Sequence, residues 1–319
     1  MQVHFWGTRG SLPASVRTEN IRKKIFLALS KAVADGLSDK DDIDAFIENR
    51  LSFDIKSGYG CNTACIEVRG GAEFVLCDAG SGLRDFGNYI MAEGYKPPQT
   101  FHIFLSHLHW DHINGFPFFA PAFIPGNSIH VHGFHHGIEK AFIGQQQEPY
   151  FPIPLDAMSG DIHFHEMDPD RTYTIAGYEI NGIKQPHPGN SFGYAFKKEK
   201  KKFVYSTDSE HLQESENENY PFIEFARDAD LLVFDAQYRL ADHIFNKKSW
   251  GHSSNIVGVE LATRAGVKHL CMFHTEHTLD DHQLDAFLAE SREYARIYAE
   301  GNNGFRIDLA YDGLAVDLI

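Results

Sequence analysis

The strongest chemical signal lies in residues 106–112, which read Ser-His-Leu-His-Trp-Asp-His directly after the apolar run Phe101–Leu105. In an extended strand end, residues two apart project to the same side, so His107 and His109 can face one ion. A turn after His109 would let Asp111 and His112 reach a second ion nearby. Imidazole and carboxylate together suit zinc and also accommodate manganese or iron. A coincidental His-rich strand end is the bland alternative, but four ligand types in this order just past a buried strand weigh against it. Histidine is abundant, at 19 residues, so position has to separate ligands from ordinary side chains.

This His-x-His-x-Asp-His pattern resembles that of the metallo-β-lactamase superfamily. The resemblance implies further ligands from later strand ends, and the sequence supplies them in order. Asp78, in Leu-Cys-Asp-Ala-Gly, matches an early structural Asp that orients the site. His187, in Gln-Pro-His-Pro-Gly-Asn-Ser, matches a third histidine; Asp208, in Tyr-Ser-Thr-Asp-Ser, a bridging carboxylate; and His274, in Met-Phe-His-Thr-Glu-His, the final histidine. His277 is a rival for His274, which lies closer to the strand end. The implied arrangement has one metal on His107, His109 and His187, and a second on Asp111, His112 and His274, with Asp208 bridging. Two divalent cations are expected, zinc first, with manganese or iron open. The implied fold is α/β: a four-layer αββα sandwich of two facing mixed sheets, with the metals at the sheet edge.

Such a fold hosts several hydrolytic chemistries and does not settle the substrate. Residues 187–194 read His-x-x-x-Ser-x-Gly-Tyr, a pattern similar to that of Z-type tRNA 3′-endonucleases and phosphoribosyl cyclic phosphodiesterases. Val233-Phe234-Asp235-Ala236 and Trp250-Gly251-His252-Ser253-Ser254 look like elements of the same branch. His252, oriented by Asp235, could protonate a departing alkoxide; a bland role beside a helix cap at Ser253 or Ser254 competes. Asp111, Asp208, His252 and Asp235 are therefore the candidate catalytic residues. The expected function is hydrolysis of a small phosphodiester, a cyclic nucleotide or cyclic phosphate, through a metal-bridging hydroxide. A thioester or lactone hydrolase and a non-catalytic metal-dependent ligand sensor are the alternatives.

The elements that must position these residues form one expected domain over 1–319. Period-two runs predict strands at Val3–Trp6, Thr63–Arg69, Glu73–Cys77, Phe101–Leu105, Ser128–His132, Asp161–His165, Tyr178–Lys184, Phe192–Lys197, Phe203–Ser206, Leu231–Phe234 and Lys268–Phe273. Helices are predicted over Leu83–Met91, Ile138–Gln147, Ser254–Ala265 and Asp280–Ala299. Residues 16–53 differ: Ile21, Ile25, Leu29 and Val33 recur at helical spacing, predicting a helical insertion. It could pack on the surface, act as a lid or make a homodimer contact.

Formal charge is 29 minus 44, or −15, which opposes polyanions and disfavours a nucleic-acid polymer as partner. A small anionic substrate drawn to the cations fits better. No apolar run is long enough to span a bilayer, no signal-peptide pattern is evident, and four sparse cysteines suggest a reducing cytoplasm. Weaker signals remain. Trp110, Phe116, Phe118, Phe119 and Trp250 could wall a base-sized pocket, though such residues are more often core. His132, His135 and His136 read as an exposed loop sooner than an accessory metal site. His163 and His165 read as strand-surface residues, Lys197–Lys202 as a solvated hairpin turn, and Arg9 as a possible substrate contact.

Overall fold

Short alternating apolar runs pair into two seven-stranded sheets in the computed structural model, which describes residues 1–38, 42–94, 96–240, 249–298 and 305–318. The first sheet holds β1 (Gln2–Gly7), β2 (Cys65–Arg69), β3 (Phe74–Cys77), β4 (Thr100–Phe104), β5 (Ser128–Gly133) and β6 (Asp161–Glu166) in chain order. The second holds β7 (Tyr173–Ile175), β8 (Tyr178–Gln185), β9 (Ser191–Lys198), β10 (Lys201–Ser206), β11 (Leu231–Asp235), β12 (His269–Phe273) and β13 (Arg306–Leu309). The chain then returns, and β14 (Ala315–Asp317) pairs antiparallel with β1. In each sheet antiparallel pairing gives way to parallel pairing, at β3–β4 in the first and β10–β11 in the second.

Alternation along the strands builds three apolar layers. Phe203 and Tyr205 of β10 point between the sheets, with Phe104, Phe196, Val233 and Phe273. Val204, one residue out of phase, points the other way, toward α7 (Pro221–Ala226), α8 (Asn255–Arg264) and α9 (Asp281–Tyr298). On the outer face of the first sheet, Phe101 and Ile103 meet Leu83 and Phe86 of α4 (Gly82–Ala92) and Phe142 of α6 (Ile138–Gln145). Helix, sheet, sheet, helix is the expected four-layer sandwich. A hairpin at Gly70-Gly71 joins β2 to β3, and Lys197–Lys202 turns β9 into β10 as expected. The short β7 was not predicted, because its three residues give too little periodicity.

The insertion forms α1 (Thr18–Ala34), α2 (Ile43–Arg50) and α3 (Phe53–Lys56); its residues 39–41, and Ala299 of the last predicted helix, lie outside the described residues. Surface packing through the apolar stripe is not what the structure contains. Lys24 of α1 turns toward the body and meets Asp281 at 2.5 Å, while Ile25, Phe26, Leu29 and Val33 are 56–81% exposed. No residue of α1 is buried. Lys24, Leu27, Ala28 and Lys31 are the half-buried inward side of α1, and the side carrying Ile25, Leu29 and Val33 faces outward.

Candidate metal centre

Every candidate ligand sits just beyond the carboxyl end of a strand. After β4 the chain bends at Ser106, His109 itself is extended with ψ 154°, and helix begins at Trp110 in α5 (Trp110–Ile113). His107 and His109 share one side, and Asp111 and His112 swing to another, as the spacing implied. Three site residues, Asp78, Asp208 and His274, adopt left-handed backbone angles (φ 60°, 48° and 59°). Non-glycine residues seldom accept that conformation; six others do so among the described residues, and the three here converge on one site.

The structure brings all seven expected ligands together in two groups. In the first, His187 Nε2 lies 3.2 Å from His109 Nδ1, and Asp208 Oδ2 lies 3.5 Å from His107 Nε2 and 3.7 Å from His187 Nε2. In the second, His274 Nε2 lies 3.3 Å from His112 Nε2 and 3.1 Å from Asp111 Oδ2. Asp208 Oδ1 lies 3.3 Å from both of those imidazole nitrogens. The two oxygens of Asp208 thus face different groups, the disposition of a bridging carboxylate. Around a tetrahedral ion with bonds of ~2.0–2.1 Å, ligand atoms stand about 3.3–3.4 Å apart, so the spacing fits a metal.

Burial and charge agree with that fit. His107 is fully buried, and its Nε2 finds no hydrogen-bond partner among the described residues. Burial and the neighbouring imidazoles hold His107 well below the usual histidine range, and burial lowers His109 and His187 too. Asp111 and Asp208 are held far below the usual carboxylate range, because the surrounding histidines outweigh the burial that opposes ionisation. Neutral imidazoles and ionised carboxylates are what a metal requires of its ligands. His112 departs from this: burial lowers it, but Asp208, Asp111 and Asp78 prevail and raise it. A cation would have to displace that proton.

A ring of supporting bonds fixes the ligands. His112 Nδ1 must donate to the Asp78 carboxylate at 2.7 Å, which leaves Nε2 pointing into the centre. Asp78 also accepts from the Ser106 N–H, the Ser106 hydroxyl and the Tyr205 hydroxyl, at 2.6–2.7 Å. His187 Nδ1 donates to the Gly251 carbonyl at 2.7 Å, again freeing Nε2. Gly251 has φ 91°, and a Cβ there would fall 2.4 Å from His187 Nδ1, so only glycine suits the position. Glu210 accepts from the Ser249 and Gly251 N–H groups and pins this loop. Ser11 N–H donates to Asp111 at 2.9 Å.

His252 stacks on His274 with ring centroids 5.1 Å apart, and its Nδ1 donates to Asp235 at 2.9 Å. Asp235 is fully buried and also accepts from the Ser209 N–H. Burial disfavours a charged His252 ring, but Asp235, assisted by Asp208 and Asp111, raises its pKa to about 9. With Asp208 and His274, His252 also makes a third grouping close enough to share an ion. The cap expected beside it is present too, since Ser254 Oγ accepts from Val257 N at the start of α8.

A sequence model of the beta-lactamase superfamily domain matches residues 73–275, the span from Asp78 through His274. The chain belongs to the beta-lactamase superfamily. Ribonuclease Z of Streptococcus pneumoniae is 24% identical over 253 residues, covering 63% of this chain and 79% of that protein. The metallo-beta-lactamase fold protein YhfI from Bacillus subtilis superposes with a TM-score of 0.64 at 18% identity, over 99% of this chain and 98% of that one. A diphosphatase from the PhnP family gives 0.60 at 17% identity, over 99% and 96%. As a member of this superfamily of hydrolases, the protein carries His/Asp clusters able to hold metal ions.

Several weaker expectations need correction for this superfamily member. Arg9 does not reach toward the centre: it is 3% exposed, and it donates to the Gly60 and Leu279 carbonyls beside Asp281. Phe116 and Phe119 are core, whereas Trp110, Phe118 and Trp250 are exposed. His277 belongs to none of the ligand groups found among the described residues. His132 and His135 are buried rather than in an exposed loop, and His136 alone of the three is exposed. His132 belongs to a ladder across parallel strands: His102, His130 and His163 are register partners, as are His132 and His165. Within it His102 Nδ1 lies 3.0 Å from His132 Nε2, and His130 Nδ1 lies 2.9 Å from His165 Nε2. The supporting roles of Ser106, Tyr205, Glu210 and Gly251 were missed. Only the Gly-His-Ser-Ser segment carried any signal for one of them.

Proposed function

We propose that this protein is a dinuclear metal-dependent phosphodiesterase acting on a small diester, a cyclic nucleotide or cyclic phosphate. The observation that carries the reading is the Asp235–His252 pair set directly against the ligand groups. Thioester hydrolysis, which expels a stable thiolate, has less need of such a pair, whereas an alkoxide leaving a phosphorus centre needs a proton. Two divalent ions, zinc or else manganese or iron, would supply a water ionised near neutral pH and Lewis-acid neutralisation of the phosphoryl charge.

His107, His109 and His187 would hold one ion and Asp111, His112 and His274 the other, with Asp208 between them. His252 would contact a phosphate oxygen and deliver its proton to the departing oxygen, while Asp235 keeps Nδ1 protonated and the ring aimed. The net charge of −15 supports a small anion over an RNA polymer, although the ribonuclease Z likeness favours RNA as the second reading. Four unpaired cysteines support a reducing, cytoplasmic setting. The exposed apolar side of α1 supports a homodimer through residues 16–53.

Zinc-loaded protein should hydrolyse bis-p-nitrophenyl phosphate or a cyclic nucleotide, and both chelation and Asp208→Ala should abolish the activity. Rapid thioester or lactone cleavage without diester cleavage would overturn the reading. So would a nucleotide complex that persists for hours with metal present and no turnover, which is the behaviour of a sensor.

A further inference from the structure

Beside the ligand groups lies an open cavity of about 790 Å³, within the range of small-molecule sites. Its walls are interleaved with the centre: Leu108 lies between His107 and His109, Trp110 between His109 and Asp111, and Ser11 holds Asp111 through its N–H. Leu12, Phe118, Tyr150 and Phe151 add to the apolar part, and no lining side chain carries a formal charge. Trp110, Phe118 and Tyr150 are 81%, 55% and 75% exposed. Large aromatic side chains facing water this openly, clustered on one wall, are a feature of binding surfaces more than of ordinary ones. Phe118 is held edge-to-face on Phe151, with centroids 5.5 Å apart.

We infer that this wall is the specificity subsite and that it stacks a flat, uncharged aromatic group of the substrate, of nucleobase chemistry. The inference rests on the phosphodiesterase reading above and names the substrate class within it. A neutral wall cannot stabilise the phosphate, which belongs at the cation groups, so the wall receives the rest of the molecule. Broad aromatic faces open to solvent suit ring stacking, which tolerates any base and changes affinity about five- to 150-fold per stacked ring. A flexible alkyl chain would be better served by a narrow aliphatic channel. Trp110 stands in the chain between His109 and Asp111, so a ring stacked on it would lie close to the phosphoryl position.

Calorimetry on zinc-loaded protein, with AMP and ribose 5-phosphate as probes, tests this without turnover. AMP should bind at least about fivefold tighter than ribose 5-phosphate. Phe118→Ala and Tyr150→Ala should erase that preference while leaving zinc content and ribose 5-phosphate affinity unchanged. Trp110→Ala should do the same, although it sits beside ligands and is the less clean variant. Equal affinity for the two probes, or tighter binding of decyl phosphate than of AMP, would overturn the subsite. A base preference in protein that cleaves no diester would support the subsite and sink the phosphodiesterase reading. Diester cleavage without a base preference would do the reverse.

Discussion

Replacing Asp78 with Asn changes one oxygen to an NH2 group in a fully buried position where four donors converge. Asn tolerates the left-handed backbone found there, so the substitution adds little strain. If the amide keeps its oxygen toward Ser106 N–H, its NH2 faces the Ser106 hydroxyl, the Tyr205 hydroxyl and His112 Nδ1. The two hydroxyls can reverse and accept. His112 cannot accept unless Nδ1 gives up its proton, and a neutral ring then carries that proton on Nε2, where it blocks coordination. If the amide flips, its NH2 meets the Ser106 N–H and leaves buried donors unpaired, at about 1–3 kcal/mol. Loss of such an orienting partner lowers metal affinity about 10- to 100-fold, or ~1.4–2.7 kcal/mol. The site built on Asp111, His112 and His274 should bear this loss, and the site built on His107, His109 and His187 should be nearly spared. Titration against a competing chelator would resolve the two steps, with circular dichroism confirming the fold. Two zinc ions bound at wild-type affinity by Asp78→Asn would refute the reasoning.

His252→Ala should keep both metals yet lose about 10²–10⁴-fold in turnover of a diester with an alkyl leaving group. Turnover of a p-nitrophenyl ester, whose anion leaves unprotonated, should fall far less; equal losses in steady-state kinetics would assign His252 a structural role. The histidine ladder predicts acid sensitivity. Burial and the neighbouring histidines push His132 down to about 2 and His130 to about 4, so these rings stay neutral when folded but protonate near 6.5 when unfolded. Stability is then full above pH 6.5 and declines as pH falls toward the folded values, by about 2 kcal/mol at pH 5 from His132 alone. Urea unfolding at pH 7 and pH 5 reads this, and His132→Phe should flatten the difference. Leu29 is 63% exposed, so Leu29→Glu should change stability by less than ~0.5 kcal/mol in a monomer. Light scattering should show a smaller mass for that variant if α1 joins two copies, and an unchanged dimer would exclude that contact.

His107, His109, Asp111 and His112 were legible as candidates from their own spacing after the buried Phe101–Leu105 run, whereas His187, Asp208 and His274 were named through the family resemblance, β8 before His187 being half exposed. His107 through His112 are adjacent in the chain, so their geometry follows from strand and turn alone. What stayed hidden depends on register or on which face packs. His102, His130, His132, His163 and His165 are ordinary alternating positions until β4, β5 and β6 align residue for residue. The stripe of α1 reads as a packing face until Lys24 finds Asp281, more than 250 positions away. Arg9 looks like a loop cation until Gly60 and Leu279 close around it. Tyr205 donates to Asp78 because facing strands of different sheets bring them together, and no local pattern records that.

The left-handed residues explain why the centre forms where it does. Along a strand, side chains must enter either the inter-sheet core or an outer helical layer, and neither place suits an ionised carboxylate. A single left-handed residue after Cys77, Thr207 or Phe273 breaks that alternation. Its side chain can then turn out of both cores and along the strand ends, into the rim between the sheets. Each such residue costs on the order of 1–3 kcal/mol, and three occur around one centre. That cost is sustained by the saturated Asp78 hub and by fully buried strands on either side, including β11 and β12. The parallel strands within each sheet, and β8 beside them, present their carboxyl ends to the same rim. Candidate ligands separated by up to 167 positions, from His107 to His274, thereby arrive at one rim, Asp208 and His274 through the left-handed turn that Asp78 shares with them.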